Sequence, residues 1–365
     1  MHIPIFFCTF APEKSKNTQI VKSSIINSMK SFSITNGLIT ARISDYGAKI
    51  LSLITPTRSG EQRDIVLGFN TDEEWLNQEP YFNAIVGRYA GRIRDAHFTL
   101  DGHTYNLAAN NGPNALHGGI HGFNARTWDV VALSRDSIRL HLFSPDGEEG
   151  YPGNLHVFVT YTVGAPMLQD GTEVPEGFGS LIIDYEAVTD APTVVNFTQH
   201  TYFNLAGEGA GDVRAHALTI DADTYAPADE NTCPIGELRP VAGTPMDFRQ
   251  PALLGERYDL PFFAPWRGID SAWLLNAGLT AKPNATLSVP DLTLDLHTNM
   301  EALVVYSGNY VEQHRGKSGS MYDIRHAVCL EAQNLPAAPN FANFPSAVLR
   351  PGELYRRRTI YTLHE

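Results

Sequence analysis

Four stretches of this 365-residue sequence gather side chains that move protons or hold oxygens. VNFTQHTYFNLAG (195–207) places His200 in a strand-like segment. Asn196, Thr198, His200, Tyr202 and Asn204 fall on one face, with Val195, Phe197, Phe203 and Leu205 on the other. Such a strand buries its apolar face and turns its polar face to bulk water or to a wet cleft, and only a cleft gives the histidine acid–base work. NAIVGRYAGRIRDAHF puts Arg88 and Arg92 four apart among glycines. Glycine lets backbone approach a ligand and arginine offers a planar fork of donors, although two surface ion pairs account equally for the pattern. NNGPNALHGGIHGFNARTW carries His117 and His121. Gly118, Gly119 and Gly122 argue against the helix that a His-x₃-His metal site needs, so a loop presenting one imidazole to a ligand is the better functional reading. In CLEAQNLPAAPN, Glu331 follows the apolar run Ala327–Leu330. It is either an ordinary charge at a strand end or a partly desolvated carboxylate able to act as a base.

The elements that must position these residues are mostly strands. LITARISDYGAKILSLITP, HFTLDGHTYNL, SIRLHLF, LHVFVTYTV, SLIIDYEAVTD and ALVVYSGNY are β-branched and aromatic runs divided by Gly, Pro, Asn and Asp. That density predicts an all-β protein. Asp101-Gly102 reads as a two-residue hairpin turn. Thr71–Glu79 reads as one short helix capped by Thr71. No linker, composition break or repeat divides the chain, so the expectation is a single large antiparallel β-sandwich over 31–365 after a flexible extension over 1–30. Met29 is a natural place for that domain to begin. The Ile3–Phe10 run is too short to span a bilayer and lacks a basic lead-in.

Composition removes several functions. A formal net charge of −13 and the lack of a Lys/Arg cluster work against nucleic acid as a partner. Cys8, Cys233 and Cys329 form no CxxC pair, so neither a disulfide framework nor a zinc site is indicated, and a reducing cytoplasm fits best. No GxGxxG or P-loop pattern supports a nucleotide cofactor, and no metal or other cofactor is expected. Asn196 and Asn284 begin Asn-x-Thr triplets, the first within the His200 segment, which argues against its glycosylation.

Taken together, the stretches resemble the aldose 1-epimerases, or galactose mutarotases. The resemblance is carried by VGRYAGRI (86–93), NNGPNALHGG (110–119), SPDGEEGYPGNL (144–155), VNFTQHTYFNLAG (195–207), GTPMDFR (243–249), GIDSAWLL (268–275), CLEAQNLPAAPN (329–340) and a closing FPSAVLRPGELY. They run in the family's order from near residue 35 to the C-terminus. The resemblance implies a large β-sandwich around an open sugar cleft and interconversion of the α and β anomers of a free aldose such as glucose or galactose. It implies Glu331 as base and His200 as acid, Arg92 and His117 as ligands of the sugar, and Asp270 as acceptor of a hydroxyl hydrogen bond. Tyr202 either lines the cleft or orients the acid. The chain departs from the family pattern at Gly91, Ser271 and Val304, where other members place side chains that contact the sugar, so the reaction class is better indicated than the sugar. Two other readings stay open: an epimerase of a hexose 6-phosphate or another aldose, for which Arg88 is the one nearby cation, and a non-catalytic carbohydrate-binding protein. The expected partner is a small sugar, with the protein a monomer or homodimer and neither nucleic acid nor membrane involved.

Overall fold

A computed structural model describes residues 29–77, 81–165 and 177–365. The Ile3–Phe10 run, Cys8, nearly all of the expected extension, and Gln78 and Glu79 lie outside the described residues. Two large antiparallel sheets dominate. One has nine strands, with Leu155–Gly164, Gly179–Thr189 and Tyr355–His364 at its centre; the other has six, in the order Tyr202–Phe203, Val328–Gln333, Ala302–Tyr306, Asp270–Leu274, Thr224–Ala226, Arg239–Pro240. The core between them takes alternate side chains from each: Val328, Leu330, Leu303, Val305 and Trp273 from the six-stranded sheet, Val159, Tyr161, Ile183 and Tyr361 from the nine-stranded one. Period-two alternation therefore leaves Glu331, Val304, Tyr306, Asp270 and Ala272 on the opposite face of the smaller sheet. Tyr361 Oη ties the layers by donating to the Leu330 carbonyl at 3.0 Å.

Local expectations hold where local chemistry decides them. Asp101 (φ 49°) and Gly102 (φ 80°) turn the chain between His97–Leu100 and His103–Asn106, with Leu100 opposite His103. The helix runs Asp72–Asn77. Its start is a reciprocal cap: Glu74 N–H donates to Thr71 Oγ1 at 3.2 Å, and Thr71 N–H donates to Glu74 Oε2 at 2.9 Å. Cys233 and Cys329 are buried free thiols. Among the described residues no helix is long and apolar enough to cross a membrane.

The 195–207 segment needs a correction. It contributes only two-residue ladders, Thr198–Gln199 and Tyr202–Phe203, and its polar positions are buried along with its apolar ones. Asn196 donates to the Ala90 carbonyl at 2.9 Å and accepts from Asn334 N–H at 2.7 Å, while Asn204 donates to the carbonyls of Gly211 and His326. Alternation reports which face is apolar; it does not reveal that the polar face is occupied by neighbouring backbone. Asn196 and Asn284 are both almost fully buried, which removes them as glycosylation sites.

Candidate active site

Strand register assembles the floor of the site. Glu331 stands opposite Val304, Val304 opposite Ala272, and Ala272 opposite Ala226, so these four form one row across four strands. A second row, two residues along, holds Tyr202, Cys329, Tyr306 and Asp270. The wall comes from a separate ladder in which Arg92 pairs with Leu116, setting His117 beside Gly91. His117 N–H donates to the Gly91 carbonyl and Gly91 N–H donates to His117 Nδ1, each at 3.1 Å. That second bond makes Nδ1 an acceptor and puts the ring proton of the neutral imidazole on Nε2. Gly118 is required next to it, since a Cβ there would lie 2.0 Å from the Gly87 carbonyl oxygen.

Together these elements enclose a cleft lined in part by Arg92, His117, Asp270, Tyr306, Glu331 and Gln333. His200 adjoins its inner end, with Nε2 3.4 Å from Glu331 Oε1 and its ring 5.5 Å from that of His117. This is just beyond hydrogen-bond length, a spacing that substrate binding can close. Arg92 Nε donates to Asn111 Oδ1 at 3.0 Å, and its Nη2 lies 3.8 Å from Asp270 Oδ2. His200 Nδ1 and Glu331 Oε2 are buried with no hydrogen-bond partner. Unsatisfied buried polar atoms are costly, and a polar ligand in the cleft is one way to relieve that cost.

Burial tunes both groups. It raises the Glu331 carboxyl well above its usual range, with the Asp270 charge adding to the effect and Arg92 opposing it. It lowers His200 to about 4. His117 is held well below its usual value by burial first, then by His200 and Arg92, while burial raises Asp270 against the pull of Arg92. Glu331 and His200 are thus pushed toward the arrangement in which both are neutral.

The site gathers five of the six residues expected from the sequence around one cleft. Tyr202 stands behind it instead: its ring stacks on His200 at 5.1 Å and on Phe82 at 4.1 Å, which suits fixing the imidazole's orientation. Arg88 is nowhere near serving a phosphate. Its buried guanidinium donates to the carbonyls of Ser144, Pro145, Pro152 and Gly153 and to Ser144 Oγ. His121 is exposed, in a different environment from His117. Tyr306, Gln333 and Asn111 were missed. Gln333 lies two residues after Glu331 and was within reach of a period-two reading; Tyr306 became visible only through strand pairing. Gly91 has φ 77°, and a Cβ there would meet Pro336 at 2.9 Å, so this departure is built into the wall.

The chain matches the family Aldose 1-epimerase over residues 30–362. It is 39% identical over 334 residues to galactose mutarotase of Homo sapiens, covering 91% of this chain and 93% of that protein. It is 35% identical to aldose 1-epimerase of Escherichia coli K12, covering 89% and 92%. Among solved structures, an aldose epimerase homologue from C. elegans superposes with a TM-score of 0.83 at 29% identity, covering 93% of this chain and 99% of that one. A galactose 1-epimerase from Lactobacillus acidophilus gives 0.78 at 28%, covering 92% and 95%. By sequence and by fold, therefore, this chain belongs to the aldose 1-epimerase family of isomerases.

Proposed function

We propose that the protein interconverts the α and β anomers of a free aldohexose such as glucose or galactose, with Glu331 as base and His200 as acid. Glu331 takes the proton of the C1 hydroxyl, the C1–O5 bond breaks as C1=O1 forms, and His200 protonates the departing ring oxygen. Glu331 is then a neutral acid and His200 a neutral imidazole. Rotation about C1–C2 exposes the other carbonyl face, and the same two protons return as the ring closes. The pair thus carries one proton throughout and ends each cycle as it began.

The observation that carries this reading is the 3.4 Å approach of His200 Nε2 to Glu331 Oε1 beside two unpartnered buried atoms. Burial favours the neutral pair, the protonation state that follows ring opening, so the environment assists that step rather than merely holding the sugar. Arg92, His117 through Nε2, and Asp270 supply donors and an acceptor for sugar oxygens. Arg88, consumed by backbone carbonyls, offers nothing to a 6-phosphate. A single functional unit over 31–365, working in the cytoplasm as a monomer or homodimer with the sugar as its partner, completes the proposal.

Polarimetry on freshly dissolved α-glucose and α-galactose tests it. Acceleration above the spontaneous rate, lost in Glu331→Gln and in His200→Ala, is expected; undiminished rates in both variants overturn the assignment.

A further inference from the structure

The backbone of His200 is pinned on both sides, but no hydrogen bond holds its ring. Thr198 and Gln199 pair with Val86 and Ile85. Beyond that ladder His200 N–H donates to the Ala84 carbonyl and Asn83 N–H donates to the His200 carbonyl, each at 3.0 Å. At the tip of the side chain Nδ1 has no hydrogen-bond partner among the described residues, and Nε2 stands 3.4 Å from Glu331 Oε1. The last torsion of a histidine is only broadly restricted by the side chain itself. The orientation of this imidazole is therefore set by what packs against it.

Four rings do so. Their centroids lie 5.1 Å (Tyr202), 5.5 Å (His117), 5.9 Å (Tyr306) and 6.3 Å (Tyr81) from that of His200, separations typical of aromatic pairs. With Glu331 they are the titratable groups facing the imidazole. Tyr81 differs from the other tyrosines in also touching His117, with ring centroids 4.6 Å apart. His117 is anchored, because its Nδ1 accepts from Gly91 N–H at 3.1 Å. Tyr81 thus connects an imidazole fixed by a hydrogen bond to one that has none. It lies two residues before Asn83, on the chain segment whose backbone pairs with that of the acid, and its side chain is half-buried.

We infer that Tyr81 is a positioning residue for the proposed acid: its ring, set against His117 and His200, holds the His200 imidazole in the orientation that keeps Nε2 beside Glu331 at the inner end of the cleft. The aromatic ring, not the phenol hydroxyl, performs this role. The inference rests on the assignment of His200 as acid. Displacing a reacting group by about 1 Å costs about a hundredfold in rate, and a loosened imidazole loses alignment without removing any contact to the sugar.

The test combines glucose anomerisation kinetics, expressed per folded molecule, with NMR titration of the His200 imidazole in the free enzyme. Tyr81→Leu should lower kcat by about tenfold or more and change KM by less than about threefold. Tyr81→Phe, which keeps the ring, should match the wild type. Burial holds His200 at about 4, so admitting water beside it should move its titration up toward the ordinary histidine range in Tyr81→Leu and leave it in place in Tyr81→Phe. Partial unfolding would not produce that selective shift. Tyr81→Met, which keeps bulk without a ring, takes the place of Tyr81→Leu if the latter does not fold. A wild-type kcat in the ringless variant, a loss in Tyr81→Phe equal to that in Tyr81→Leu, or a raised KM with kcat unchanged each overturns the inference while leaving the anomerase reading intact. No acceleration by the wild-type protein overturns both.

Discussion

Because Glu331 and His200 are proposed to pass one proton between them and the sugar, removing either should break the same circuit. Loss of one general acid or base typically costs about 10²–10⁴ in rate, or ~2.7–5.4 kcal/mol. Independent groups would multiply, so the double variant would fall by ~10⁴–10⁸. The 3.4 Å contact between Nε2 and Oε1 predicts otherwise. Once Glu331→Gln has removed the acceptor of the O1 proton, a charged His200 has lost its counter-charge and its cycle partner. His200→Asn should then cost little more, and the double variant should stay within about tenfold of the slower single one. Polarimetry of α-glucose with all four proteins, corrected for spontaneous mutarotation, gives the cycle directly. Thermal unfolding supplies the control. Glu331 is buried with Oε2 unpaired, so replacing its carboxyl with an amide should leave Tm unchanged or raise it, separating lost chemistry from lost fold. Multiplicative losses in the double variant would refute the shared-proton argument.

Three further outcomes follow from contacts around this pair. Asp270 reinforces the burial that raises Glu331, while Arg92 opposes it; Asp270→Asn removes one raising influence, so the shared proton leaves at lower pH and the alkaline limb of kcat/KM for glucose moves down, an upward move contradicting the assignment. Asn111→Ala frees the Arg92 Nε that now donates at 3.0 Å and should raise KM by about tenfold with kcat little changed, measured by initial rates over a range of glucose concentrations. Arg88→Lys brings three donors to a site with five acceptors and should destabilise the fold by about 3 kcal/mol in urea unfolding, with the glucose to glucose 6-phosphate rate ratio unchanged per folded molecule.

What was legible in the sequence divides by how local its physics is. Asp101-Gly102 needs only its own φ angles, and the Thr71–Glu74 cap only one turn of helix, so both are readable in isolation. Arg88 and Arg92 are not, because two arginines four apart look alike until the acceptors around them are known: the Ser144–Gly153 turn takes the first into the interior, and Asn111 holds the second toward the cleft. His200 was found through its neighbours in family order, yet the reason its segment is polar differs from the expected one. Asn196 and Asn204 are polar because they brace buried backbone, and only His200 meets the proposed chemistry.

Glu331 shows how the fold links packing to the site. Val328, Leu330 and Ala332 bury one face of its strand in or against the core, and strand side chains alternate with a period of two. A slip of one residue would drive a carboxylate into the core and expose three apolar side chains, so the register that aims Glu331 at the cleft is held by hydrophobic burial, not by the sugar. The same register lines up Val304 and Ala272 beside it. Their sequence separation from Glu331, 27 and 59 residues, conceals an adjacency that strand pairing makes obligatory. A motif can therefore single out Glu331, but what stands beside it is decided by which residue each neighbouring strand places in the row. Val304 faces the cleft from the strand next to Glu331, while Leu303 and Val305 anchor that strand in the core.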